Sequence, residues 1–346
     1  MDREAITRGV IRSLVDRILK EAENDPERTL RKLVDLGGQF VKGRFKSYFF
    51  DMVQTMLEDE NSAYYDLARR ATTQVDREAW ETIGVCVGYD SCTLGARIIR
   101  EQSAACGFDI PWAVMFRLKR DAQFPQEEYD RLIREGIELG IHSYIFYAEE
   151  DGSNTELPLE LAAAYPHCAF LLAMPAGMVT AEFTSKLCDL PNLVAAPDSQ
   201  DAEFLTAAKR LHQARLPYAC HRKYESEEDW ADIGSGAWAR QAVDAGCMFA
   251  FAHAGEGCSD EICDRVAHYL QEARRDQRDA VILSNYYTDH LFIDRVISGE
   301  PCFLSVLSDG TAADCDGRRE VPTGVKCAGR SMKEILKTLH DRRSGV

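Results

Sequence analysis

The stretch that decides the fold is Tyr129-Asp130-Arg131-Leu132-Ile133-Arg134-Glu135-Gly136-Ile137-Glu138-Leu139-Gly140-Ile141-His142-Ser143-Tyr144-Ile145-Phe146-Tyr147. Its first half places Tyr129, Leu132, Ile133 and Ile137 on one helical face with charges between them. Its second half, from Ser143, is a continuous apolar run too short for a helix and apolar on both faces, as a covered parallel strand must be. Helix, tight glycine break and buried strand form one half-turn of a β/α repeat. Outward from it the same texture recurs, with apolar runs starting at 112, 143, 168, 193, 217, 248 and 280. A strand, a crossover helix and two loops need about that spacing. The segments between carry helix patterns, such as Phe204, Ala207 and Leu211. The expected fold is α/β, a partial or full (β/α) TIM-like barrel; a doubly wound open sheet is the alternative.

Before Pro111 the chain reads as helix. Ile6, Val10, Ile11, Leu14, Val15, Ile18 and Leu19 recur at helical spacing, Asp25-Pro26-Glu27 resembles a helix start, and helices are expected over Tyr48–Leu57, from Asn61 and over Gly88–Gln102. After Glu300 the rhythm breaks. Cys302–Leu307 reads as a strand before the turn at Ser308-Asp309-Gly310, a second turn lies at Asp314-Cys315-Asp316-Gly317, and a last helix runs from Ser331 to Arg342. The expected organisation is a helical leader over 1–108 packed on the barrel, the barrel over 109–299, and a C-terminal β-hairpin and helix extension over 300–346.

The 346 residues carry 41 Lys+Arg against 57 Asp+Glu, a formal net charge of −16. That balance argues against nonspecific nucleic-acid binding and against anionic lipid. At 45% apolar and 28% charged the composition is that of a globular protein, without an apolar run long enough to span a bilayer. The charged start, Met1-Asp2-Arg3-Glu4, lacks the apolar centre of a secretory signal, so the expected location is cytoplasmic. The 12 cysteines include no C-x-x-C pair, which removes zinc ribbons and thioredoxin-type motifs.

In a parallel barrel, function sits at the C-terminal ends of strands. Those positions hold Arg117, Lys119 and Arg120, then Glu149 and Glu150, Asp198, His221 and Arg222, His253, and Asn285. Two histidines and several acids on one rim are compatible with a metal-dependent hydrolase or isomerase, although the first strand ends in Arg and Lys instead of H-x-H. Arg117, Lys119 and Arg120 would make the mouth basic and suited to a small anionic ligand, a phosphate or carboxylate. Alternatively Glu149, Glu150 and Asp198 neutralise them and close it. Gly255-Glu256-Gly257 lacks the third glycine of a dinucleotide fingerprint, and Gly234-Ser235-Gly236 lacks the spacing of a nucleophile elbow. Cys258 and Cys263, five apart on an expected helix, do not share a face and read as ordinary thiols. Cys302, Cys315 and Cys327 flank a glycine turn and are candidate ligands of an auxiliary iron–sulfur cluster, or else buried cysteines of a small hairpin.

The order of these features resembles the radical S-adenosylmethionine proteins, in the subgroup containing the hopanoid adenosyl-transferring enzyme. Asp109-Ile110-Pro111-Trp112-Ala113-Val114 is similar to that family's entry into the first barrel strand, and Gly136-Ile137-Glu138-Leu139-Gly140-Ile141 to the segment before the second. His167-Cys168-Ala169-Phe170-Leu171 resembles the third strand and Asn192-Leu193-Val194 the entry to the fourth. Ser284-Asn285-Tyr286-Tyr287-Thr288-Asp289 resembles a later motif, and the span from Cys302 to Cys315 resembles a shortened form of another.

The departures fall on one site. The family places C-x3-C-x2-C after its first strand, to hold a [4Fe–4S] cluster that binds S-adenosylmethionine. Here Phe116-Arg117-Leu118-Lys119-Arg120-Asp121-Ala122-Gln123-Phe124 contains no cysteine. The family's "GGEP" after the second strand is Ala148-Glu149-Glu150-Asp151. Without thiolates a cluster has no binding energy there. The resemblance therefore implies a radical-SAM-like barrel that has lost its cluster, with no resident cofactor expected, in a ligand- or partner-binding, regulatory role. Alternatives are an enzyme using the remodelled rim, with or without a metal, and an iron–sulfur protein carrying only the C-terminal cluster.

Overall fold

The strands form where the apolar runs stand. In the computed structural model, which describes residues 3–22, 28, 31–32, 34–35, 59, 61–120, 124–150 and 152–345, β1 (Ala113–Leu118), β2 (Ser143–Ala148), β3 (Ala169–Met174) and β4 (Leu193–Pro197) pair in parallel, each with the next. β5 (Ala219–Tyr224), β6 (Phe249–Ala254) and β7 (Ile282–Asn285) do the same. The parallel bridges Ala195–Tyr218 and Asp198–His221 join β4 to β5. A short β8 (Ser305–Val306) lies parallel to β1 on its other side. The architecture is a partial (β/α) barrel. Among the described residues β7 and β8 form no ladder with each other.

The crossover helices are α5 (Gln126–Glu138), α6 (Glu156–Ala164), α7 (Ala181–Leu187), α8 (Phe204–Gln213), the pair α9 (Glu227–Gly234) and α10 (Ala237–Asp244), and α11 (Asp260–Arg275). Their apolar faces, including Leu132, Ile133, Ala207, Leu211 and Val266, are buried against outward strand residues such as Phe116, Tyr144, Phe146 and Phe170. Burying such side chains contributes roughly 1.5–3 kcal/mol each, and this belt is the main core. α12 (Tyr286–Ile297) differs from the others. It begins directly at the end of β7, capped by Asn285, and buries Tyr286, Tyr287, His290, Asp294 and Ile297. Its far end meets the entry to β1, where Trp112 N donates to Asp294 and Ser298 Oγ to Ile110 O.

The remaining side is occupied by the C-terminal extension. β9 (Thr311–Cys315) and β10 (Glu320–Lys326) extend the sheet antiparallel from β8, and α13 (Met332–Arg343) follows, started by a Ser331–Glu334 capping box. The expected strand over Cys302–Leu307 is only two residues long, because Phe303 leaves the ladder to pack against Tyr287 and His290.

The leader contributes α1 (Arg3–Ala22), α2 (Ala63–Gln74), α3 (Arg77–Gly84) and α4 (Ala96–Cys106). Between α3 and α4 the helix expected over Gly88–Gln102 is split, since Val85–Gly95 is wound as a π-helix. The wider turns carry Asp90 inward to Arg8 of α1 at 2.8 Å and Ser91 to Ser143 of β2 at 2.8 Å. Gly95 is required here: a Cβ would fall 2.4 Å from Gly140 O. Leu67 and Val75 pack with Met248 at the entry to β6. The readings over Asp25–Glu27 and Tyr48–Leu57 lie outside the described residues. Among the described residues no helix is long and apolar enough to cross a membrane.

Candidate functional site

Alternation along the parallel strands decides which side chains enter the barrel. On β1, Phe116 and Leu118 face the helices, so Met115 and Arg117 face the lumen; Ile145 and Tyr147 on β2 and Leu171 and Ala173 on β3 follow suit. With Ala196, His221, Phe251, His253, Tyr286 and Tyr287 they surround a cavity of about 20 Å³ open to the centre of a water molecule, room for roughly one water.

Arg117 is the centre of this site. Its Nη2 and Nε lie 2.7 and 2.8 Å from the same oxygen of Glu320, Oε2, and Nη2 also donates to the Tyr287 hydroxyl at 3.0 Å. Its guanidinium stands 4.4 Å from the centre of the Tyr147 ring, a cation–π contact. The two side chains are only 12% and 11% exposed, so this is a buried ion pair. Burial alone would lower the pKa of Arg117; Glu320 and the two tyrosines reverse that and raise it.

Beside it, the His221 and His253 ring centres are 5.8 Å apart and both meet Tyr147 edge-on. His221 Nε2 is 3.3 Å from Met174 O, which only an N–H can satisfy, so Nδ1 is the lone-pair nitrogen and it has no partner. Burial lowers the pKa of His221, opposed by Asp198, and burial with His221 and Arg117 nearby depresses His253 well below its ordinary value. Both imidazoles are neutral near pH 7. Tyr286 Oη and Glu320 Oε1 are likewise buried without partners.

The candidate residues thus divide. Arg117, His221 and His253 converge on the lumen, with Asp198 next to His221. Lys119 and Glu149 pair with each other at 2.9 Å on the exposed rim, Glu150 is exposed beside them, and Arg120 lies over Gly152. Arg222 and Asn285 face away from the lumen. Arg222 pairs with Asp229 and Asp232 of α9, and Asn285 caps α12 and donates to the Tyr224 hydroxyl at 3.1 Å. Each is one residue out of step with an inward neighbour, and a one-residue step turns a strand side chain to the other face. The acid that neutralises Arg117 is Glu320, distant in sequence, and not Glu149, Glu150 or Asp198. Tyr147, Tyr286 and Tyr287 were also missed; the apolar strand pattern absorbs a lumen tyrosine without a signal of its own.

The C-terminal cysteines do not converge. Cys315 packs against the lumen cluster containing Phe303, whereas Cys302, one residue before Phe303, is buried near Asp294 and Arg343. Cys327 lies in the outer core, its carbonyl accepting from Arg131 at 3.2 Å. Among the described residues no group of three or more His, Cys, Asp or Glu side chains is placed to hold a metal ion. Cys258 precedes α11 instead of lying on it, which brings its thiol to Cys263.

No protein-family model matches this sequence, and no curated protein is significantly similar to it. The partial (β/α) barrel nevertheless has counterparts among solved structures. Two crystal structures of SuiB from Streptococcus suis superpose on it, one of them bound to S-adenosylmethionine. The S-adenosylmethionine-bound structure matches with a TM-score of 0.50 over 68% of this chain and 66% of SuiB. The other matches with a TM-score of 0.53 over 71% of both chains. Identity is 9% in each, a likeness of fold, and the chain spans about two thirds of SuiB in the first.

Proposed function

We propose that this chain is a radical-SAM-like barrel that has given up the cluster site and serves as a non-catalytic ligand- or partner-binding protein. The donor set is the observation that carries this reading. The segment from Lys119 to Phe124 that follows β1 supplies no thiolate, and the inward side chain at the end of β1 is a guanidinium neutralised by Glu320. A cationic side chain repels iron and cannot ligate it, so these residues do not fit a [4Fe–4S] cluster. Ala148-Glu149-Glu150-Asp151 after β2 also lacks the glycines of the resembled motif, which weakens any S-adenosylmethionine site at this end.

What the lumen offers instead is one positive fork, two neutral imidazoles and three tyrosines over an apolar floor. That combination suits a small anion held by Arg117. The test is anaerobic purification, reconstitution with iron and sulfide, and assay for 5′-deoxyadenosine from S-adenosylmethionine. The reading predicts a colourless protein without that product. A [4Fe–4S] spectrum with S-adenosylmethionine cleavage overturns it.

A further inference from the structure

The pairing of Arg117 with Glu320 is incomplete. A guanidinium fork takes both oxygens of a carboxylate when geometry permits. Here Nε and Nη2 share Oε2, and Oε1 is buried with no partner. Two more unpartnered polar atoms, His221 Nδ1 and Tyr286 Oη, come from residues lining the same cavity. An orphaned buried polar atom costs about 1–3 kcal/mol, and two on the lining of one cavity, with a third on the carboxylate that pairs with its arginine, invite another occupant.

The element that carries Glu320 lies at the edge of the sheet. β10 is an edge strand, mostly exposed, containing Pro322 and Gly324, and its register against β9 slips between Pro322 and Lys326. Its near end is fastened by a surface latch. Arg318 grips Asp264 of α11 with two bonds of 2.8 Å, and Arg319 holds Asp260 and, at 2.9 Å, the carbonyl of Cys258. Gly317, at φ +100°, provides the turn that sets these arginines on the rim. The hairpin is a strap across the side that β7 and β8 leave open.

We propose that Glu320 is a built-in stand-in for a small 2-hydroxycarboxylate, and that such a ligand enters by displacing the strap. The ligand's carboxylate takes both arms of Arg117 with the Tyr287 hydroxyl beside them, and its hydroxyl donates to His221 Nδ1. With Glu320 in place the cavity has room for roughly one water, too little for a molecule of that size. Binding and strap release are therefore one linked event, and the latch sets the apparent affinity. This inference rests on the preceding reading of the lumen as a ligand site.

The experiment uses the intact chain and follows amide exchange over residues 311–326 while glycolate or L-lactate is titrated, with acetate and propionate as controls lacking the hydroxyl. Glycolate or L-lactate should speed exchange in the strap. The controls should bind about tenfold more weakly, having nothing to give His221. The surface double variant Arg318→Ala/Arg319→Ala should bind L-lactate about fivefold more tightly than the unaltered chain. Arg117→Met/Glu320→Leu, which leaves no unpaired buried charge, should not bind it. A strap whose exchange neither hydroxy acid changes, or an affinity indifferent to the latch, overturns the inference in a protein that holds no cluster. Cluster assembly with S-adenosylmethionine cleavage overturns the earlier reading instead.

Discussion

Two buried polar clusters lie at opposite ends of α12, and they meet the cost of burial in opposite ways. At the N-terminal end, by Tyr286 and Tyr287, Arg117 and Glu320 remain charged and compensate each other. At the other end Asp294, with no exposed surface, faces His290 across 3.6 Å without a hydrogen bond. Burial pushes Asp294 up to about 8, against hydrogen bonds from the backbone of Trp112 and Cys302, and pushes His290 down to about 3. That pair is neutral. The difference teaches that burial alone does not determine charge: a guanidinium cannot shed its proton and must find an anion, whereas Asp and His can each take their neutral form.

The largest expected effect strips the cover from one cluster. The leader caps the neutral end, where Arg100 of α4 donates to Ile297 O at 3.4 Å, while Leu67, Val75 and Trp80 cover the entries to β6 and β7. A fragment starting at Asp109 should aggregate, read by size-exclusion chromatography. A monomeric fragment with a cooperative unfolding transition would show that the leader is dispensable to the barrel.

Breaking the charged pair comes next. Glu320→Ala leaves Arg117 buried without its anion and should cost about 3 kcal/mol in urea unfolding, while Arg117→Met/Glu320→Leu should lie within about 1 kcal/mol of the unaltered chain. Equal losses in the single and double variants would mean that packing, not charge, dominates this end.

The neutral pair responds to pH. An aspartate raised from about 3.9 in the unfolded chain to about 8 favours folding in its protonated form. Its contribution is complete below about pH 4 and is lost as pH rises toward 8. Asp294→Asn removes that loss, so the variant should be more stable than the unaltered chain at pH 8 by up to a few kcal/mol, with a shallower fall in stability between pH 7 and 8. The buried histidines act with the opposite sign, losing stability below about pH 6.5, and do not disturb that window. Parallel slopes for the two proteins would show that Asp294 is ionised in the folded state.

The smallest effect belongs to the rim. Lys119, half exposed and paired with Glu149, should tolerate Lys119→Ala within about 0.5 kcal/mol, in contrast with Arg117 two residues earlier, inside β1.

Most of the barrel was legible because apolar runs bounded by turns dictate covered parallel strands: the runs starting at 143 and 193 became β2 and β4, which begin at those residues. The lumen was only half legible. Arg117, His221 and His253 stand out as polar residues at strand ends, but facing is a matter of single-residue register, and that misplaced Arg222 and Asn285. Glu320 carried no local signal, because its role depends on an extension returning about 200 residues later to the first strand. The π-helical turn at Asp90 was hidden for a similar reason, since tertiary pairing with Arg8 outweighs the local helical pattern.

The most direct test of the account is whether this barrel assembles a cluster. Reconstituted anaerobically with iron and sulfide and given S-adenosylmethionine with a reductant, the protein should show no [4Fe–4S] absorption and form no 5′-deoxyadenosine. A stoichiometric cluster with turnover to 5′-deoxyadenosine would contradict it.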